Sequence, residues 1–249
     1  MNKTESTELF TRISASDKVL ILPCEDKEQQ EFDQNSRINA INWFNLKSSF
    51  FYNLYSLLAV RYVRKASGKL IFKGKLITQL EGDTDTSRKN LLIVSYPDPT
   101  YFLKLVGYKV FQFISIFRLM GVKQFCFGFT KNLMPSHQEN NHRFTFNTEQ
   151  TYLVYHFQGG KSEFHHHSKD LIKAAGQHHA GIYFCGMTVA KLVREKSGHR
   201  QAADFFMDGI VLVAAESQQD LDSFKENDAF QSFKKQHTNN ALYLFSRTH

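Results

Sequence analysis

The chain is poor in several residue types. Three cysteines, Cys24, Cys126 and Cys185, stand far apart in 249 residues. They form no CxxC pair and no disulfide framework, which points to a reducing compartment and a cytoplasmic protein. Four prolines leave room for long regular elements. No stretch of eighteen uninterrupted apolar residues occurs, so no membrane-spanning helix is predicted. The longest candidate, Tyr101–Val122, is interrupted by Lys104, Lys109, Gln112 and Arg118; it reads as a buried amphipathic helix, with a membrane-surface helix as the sharper reading. The first residues, MNKTESTELF, lack the apolar core of a signal peptide. Glycine-rich phosphate loops, a metalloprotease helix and a nucleophile elbow are all missing, which removes the commonest motif-bearing enzyme classes.

Acidic residues are scarce in one place. The net charge of +7 is the balance of −4 over residues 1–36, +11 over 37–147 and zero over 148–249. A basic middle third can attract an anionic ligand or nucleic acid, or can be a solvated surface. Hydrophobic residues make up 42% and aromatics 14%, enough for a sizeable core.

What is present is an order of elements that occurs twice. From Arg37 the pattern reads strand (37–47), helix closed by Gly68, strand (69–80), strand (91–96), helix (101–121), strand (122–130). The second copy reads strand (151–157), a histidine-rich helix, strand (181–193), strand (209–215), helix (218–236), strand (241–247). A constant shift of 112 places Trp43 on Tyr155, Phe72 on Phe184 and Gly74 on Gly186. A βαββαβ unit folds most simply as a four-stranded antiparallel sheet with both helices on one face. The bare faces of two such sheets can bury one another. The expected fold is therefore α+β, tandem ferredoxin-like repeats packed sheet to sheet. The expected organisation is an N-terminal extension (1–36), mobile or loosely docked, a first repeat (37–133), a linker (134–149) and a second repeat (150–249).

The segments "GKLIFKGKLITQLEGD" and "LLIVSYPDPTYF", with "GIYFCGMTV" and "GIVLVAAESQQDLDSFKENDAFQSFKKQ" in the second half, carry a resemblance. The chain resembles the dimeric α/β-barrel superfamily. Within it, the chain is similar to two fused copies of the small bacterial family called domain of unknown function thirteen-thirty. The turn Asn227-Asp228-Ala229-Phe230 matches that family's helix-two pattern; the first copy lacks it, and the second lacks the "LEG" hairpin end. The resemblance implies an intrachain barrel with a cavity between sheets. It also implies the superfamily's range of roles: cofactor-free oxygenases, haem-handling enzymes, isomerases and proteins of unknown role. Fold alone selects none of them.

Candidate site residues follow from alternation. Lys73 and Lys75 on strand two, with their counterparts Cys185 and Met187 and the neighbouring Tyr183, are expected on the cavity side, while Phe72 and Phe184 face helices. A lysine there could pair with an acidic ligand, or with Glu81 or water. His156, in "TYLVYHF", is the candidate proton-transfer group, near neutral in its ordinary pKa, although the parity of its strand leaves its face open. Of the histidines between Lys161 and Gly181, His167 and His178 fall on the sheet-facing stripe. His165 and His166 turn outward, and only His166 and Asp170 are spaced to share a metal. Two ligands make no catalytic zinc site, so no metal is expected.

The functional expectation is a small-molecule binding protein or a cofactor-independent, oxygenase- or isomerase-like enzyme, acting on an apolar metabolite, acidic or not, in the barrel cavity. No resident cofactor is expected under this reading, and the chain is monomeric as a pseudo-dimer. The first alternative is a haem-binding or haem-degrading protein with His156 as axial ligand. The second is a tandem RNA-binding module, but the strand-three candidates "NLLIVSY" and "GIVLVAA" lack the aromatic signature that reads bases, so no nucleic-acid partner is expected.

Overall fold

The structure, a computed structural model, describes residues 9–24, 33–82, 88–134, 150–159, 161–215 and 217–248. Two strands come first, β1 (Leu9–Ser14) and β2 (Asp17–Pro23). The first repeat follows as β3 (Ile38–Leu46), α1 (Ser49–Lys65), β4 (Lys69–Glu81), β5 (Asn90–Tyr96), α2 (Pro99–Gly107), α3 (Lys109–Gly121) and β6 (Val122–Asn132). The second is β7 (Thr151–Gln158), α4 (Lys161–Gln177), β8 (Ala180–Lys196), β9 (His199–Ala202), β10 (Gly209–Ala215), α5 (Gln218–Lys225), α6 (Asp228–Lys235) and β11 (Thr238–Arg247).

The strands hydrogen-bond in the order β1-β2-β8-β10-β7-β11-β4-β5-β3-β6, with β9 beside β8 and a further pairing of β8 with β6. Each repeat therefore has its second, third, first and fourth strands side by side, which is the ferredoxin-like order. The fourth strand of one repeat lies beside the second strand of the other, and the eight repeat strands close into an antiparallel ring. By its contacts the chain forms two compact units that do not follow the repeats. Unit 1 comprises Met1–Ile71, Val94–Phe129 and Val189–Phe205; unit 2 comprises Phe72–Ile93, Thr130–Thr188 and Phe206–His249.

In unit 2 the sheet carries one apolar face under its helices. Leu153, Tyr155 and Phe157 of β7 pack with Phe164 and Leu171 of α4, Phe224 of α5 and Phe230 and Phe233 of α6. The helix expected over 218–236 is two helices, because Asn227 stops the first and caps the second, its Oδ1 accepting from the Ala229 amide at 2.8 Å.

In unit 1 the helix expected over 101–121 is also two, meeting at Tyr108. The break falls where the second repeat has Asn227, a shift of 119 rather than 112 (227 − 108), because the β8–β9 hairpin is longer. Tyr108 is extended, and the Gln112 Nε2 donates to the Val106 carbonyl at 3.1 Å in place of the lost helical bonds. Gly107 sits at the break because a Cβ there would lie 2.9 Å from the Thr11 Oγ1 of β1.

Residues 9–24 correct the expectation of a loosely docked extension. Strand β2 pairs with the outer half of β8 from Asp17↔Lys196 to Pro23↔Ala190. Leu20 and Ile21 are fully buried, and the Asp17 carboxylate accepts from the Arg194 guanidinium. The apolar run "VLILP" has a sheet edge to cover, and covering it removes an exposed ladder. The linker expected over 134–149 lies, apart from Met134, outside the described residues.

Candidate functional site

Strand β7 settles the face of His156. Leu153, Tyr155 and Phe157 lie under the helices, so Tyr152, Val154 and His156 occupy the opposite face. There the His156 Nε2 lies 3.1 Å from the Tyr243 hydroxyl. Its ring stacks on Tyr243 at 5.6 Å and meets the edge of Phe206 at 5.2 Å. Only 2% of its surface is exposed, and burial lowers its pKa to about 3. It is a neutral imidazole held by aromatics across the working pH range. A base so weak is poorly matched to proton transfer near neutrality. An axial haem ligand presents an accessible ring nitrogen; here Nε2 meets the Tyr243 hydroxyl, and the ring is packed between Tyr243 and Phe206.

The other expected site residues do not converge on His156. The Phe72 ring meets Tyr152 at 5.0 Å and Tyr183 at 6.1 Å, and a Cβ at Gly74 would lie 2.6 Å from the Phe72 ring. Phe72, Gly74, Tyr152 and Tyr183 therefore share the face of His156. Lys73 and Lys75 fall on the other face, the reverse of the expectation, and Lys75 is exposed. On β8 the pairing with β10 steps from Leu212↔Phe184 to Val213↔Ile182. That bulge inserts one residue, so alternation fails there. Tyr183 stays on the His156 face, but Cys185 and Met187 turn into the helix-covered core with Phe157 and Phe164. Burial pushes the Cys185 thiol up to about 12, so it is an inert thiol and not a thiolate.

The histidine-rich helix packs Phe164, Leu171 and Ala174 into the core as its stripe predicts. His167 instead borders a polar cleft of about 430 Å³ with Asp170 and Lys173. His178, just past the helix end, lies with its Nε2 2.9 Å from the Asn227 side-chain amide. The side chains of His165 and His166 lie outside the described residues. Among the described residues no group of three His, Cys, Asp or Glu side chains is placed to hold a metal.

The best-formed apolar cavity lies in unit 1, about 400 Å³ in volume. Its walls come from α2, α3, β6 and the β1–β2 hairpin. They include Phe102 and Val106, Phe111 and Leu119, Phe125 and Phe127, and Ile13 and Val19. The polar groups are few. Gln112 Nε2 donates to the Val106 carbonyl of α2 at 3.1 Å, and Ser115 Oγ to the Phe111 carbonyl of its own helix at 2.8 Å. Arg194 is bound to Asp17. The Arg118 guanidinium lies 4.6 Å over the Phe125 ring, at the wall. Burial raises the pKa of the Tyr55 phenol, so Tyr55 is a protonated donor. Sequence reasoning missed this site because its residues come from eight elements, from β1 to β8. The one local signal is the aromatic run on β6, "FCFGF".

Comparison with known proteins adds fold-level likeness. No protein-family model and no curated protein matches the chain. Among solved structures, it is similar to a protein of unknown function from Rhodopseudomonas palustris, at 19% identity and a TM-score of 0.39, over 41% of this chain and 87% of that one. It is also similar to a candidate monooxygenase from Lactobacillus acidophilus (6% identity, TM-score 0.49, 85% and 94% covered). A mutant chlorite dismutase from Candidatus Nitrospira defluvii aligns at 9% identity and a TM-score of 0.49, over 87% and 93% of the two chains. The doubled ferredoxin-like strand order and its closure by β8 and β6 make this chain a dimeric α/β barrel in fold.

Proposed function

We propose that the chain binds an apolar small molecule with an acidic end in the cavity of unit 1. The observation that carries this reading is a volume of about 400 Å³ with a mainly aromatic and aliphatic wall and two guanidiniums beside it, Arg194 paired with Asp17 and Arg118 over the Phe125 ring. Small-molecule sites have this character: concave, apolar, with few polar groups that orient the ligand. Burial of apolar ligand surface contributes about 25 cal/mol per Å². A partly exposed ion pair with Arg118 adds about 1 kcal/mol or less. The apolar wall therefore sets affinity, and Arg118 sets orientation. In this reading Arg118 takes the part expected of Lys73 and Lys75, and His156 is a packing residue.

A fluorescent probe of matching chemistry, anilinonaphthalene sulfonate, tests the reading. It should bind saturably to the folded protein. Ser115→Phe, which fills the cavity, should weaken it about tenfold, a loss near 1.4 kcal/mol. Arg118→Gln should weaken this anionic probe several-fold while leaving a neutral apolar dye unaffected. Unchanged binding to a folded Ser115→Phe variant would exclude this cavity as the site.

A further inference from the structure

A helix packed on a sheet ordinarily turns a polar stripe to solvent. Helices α1 and α3 of unit 1 do the opposite. Phe50 is 71% exposed and Leu57 72%; on α3, Phe113 is 64% and Leu119 68% exposed. At 100° per residue, Phe50 and Leu57 share one stripe of α1, and Phe113, Ile116 and Met120 share one of α3. A run of rings joins the two helices: Phe50 to Phe51 at 5.4 Å, Phe51 to Phe117 at 6.5 Å, Phe117 to Phe113 at 6.2 Å. Scattered exposed apolar residues need no explanation, but a continuous patch across two helices marks an interaction surface.

The charge around this patch has one sign. No Asp or Glu occurs between residues 34 and 80 or between 99 and 138, so α1, α2 and α3 carry none. Exposed cations lie at Arg61, Arg64 and Lys65 on the last turns of α1, at Lys104 on α2 and at Lys109 where α3 begins. We propose that the α1/α3 face docks on an anionic lipid surface. A bilayer with acidic headgroups offers both complements at once: an acyl boundary for Phe50, Leu57 and Phe113, and negative charge for the lysines and arginines. A second copy is the poorer occupant, since a two-fold contact sets the same patch against itself and its helices hold no acid to offset their own cations. No described helix is long and apolar enough to cross a membrane, so the pair lies along the interface. The proposal goes beyond ligand binding and does not rest on it: Ile116 and Leu119 also border the cavity described above, but Phe50, Leu57 and Phe113 line no part of it.

Sedimentation of the full chain with vesicles of phosphatidylcholine containing phosphatidylglycerol tests this. The protein should pellet with these vesicles, far less with phosphatidylcholine alone, and progressively less as salt is raised. Leu57→Glu with Phe113→Glu should lower partitioning about tenfold or more, because a charge in the acyl boundary opposes insertion. Arg61→Gln with Arg64→Gln should reduce the preference for anionic vesicles. Both pairs are surface substitutions, so an unchanged melting temperature verifies folding. Failure to pellet with anionic vesicles, or equal pelleting of the double glutamate variant, would overturn the proposal. So would a dimer in sedimentation velocity that the same variant dissociates, which would assign the face to a second copy.

Discussion

His156 illustrates what one residue contributes. Its imidazole is stacked, hydrogen-bonded to Tyr243 and neutral, with a folded pKa near 3 against an ordinary value near 6.5. The folded state thus binds fewer protons than the unfolded one below that ordinary value. The stability it contributes is complete above pH 6.5 and is lost as pH falls toward 3. Between pH 7 and pH 5 the loss from this group alone is about 2 kcal/mol. His237 adds in the same direction, since burial lowers it to about 4. Chemical denaturation across this range should show the decline, and His156→Asn should flatten it while lowering stability at neutral pH. A stability curve independent of pH in the parent protein would contradict the neutral, buried imidazole. The residue type was legible as special in the sequence. Its face was not, because a strand's alternation tells which residues lie together, not which side is covered.

At the scale of elements, β2 is the clearest departure from the sequence reading. The run Val19–Pro23 looks like a detached fragment until β8 is seen to extend, over Val189–Lys196, past the point where the repeats pair. Leu20→Ala or Ile21→Ala should each cost about 2–5 kcal/mol, as deletions of buried side chains do. Truncation of residues 1–24 should lower the melting temperature and promote aggregation through the uncovered edge of β8. A truncated protein melting like the full chain would mean that β2 is a passive cover. The bulge at Tyr183 is the other lesson at this scale. One inserted residue separates Tyr183 from Cys185 and Met187, which strict alternation had grouped. Bulges depend on the partner strand and have no signature in one strand read alone.

For the whole molecule, the sheet order makes a strong statement. The first repeat has β4 and β6 as its outer strands, and each is paired in the ring by a strand of the second repeat. Residues 37–133 expressed alone should therefore expose two strand edges and self-associate, detectable by size exclusion and sedimentation velocity. A stable monomer of that fragment would show that the ring is not needed to cover those edges. The two repeats were legible because element order survives when identity fades: turn residues, apolar alternation and helix caps are local chemistry. Every repeat strand was anticipated within a few residues, and the ferredoxin-like class followed from their order.

Local chemistry also determined the histidine-rich helix, whose apolar stripe at helical spacing could only be the packed side. Tertiary structure alone decided where the chain has room. The cavity of unit 1 is a packing remainder among eight elements, and no element records that its neighbours fail to fill the space. The outward apolar face of α1 and α3 was hidden for a related reason. Their sequences contain enough apolar residues for any side to be buried, and only docking on the sheet through Tyr52, Ala59, Phe111 and Ile114 selects which side remains exposed.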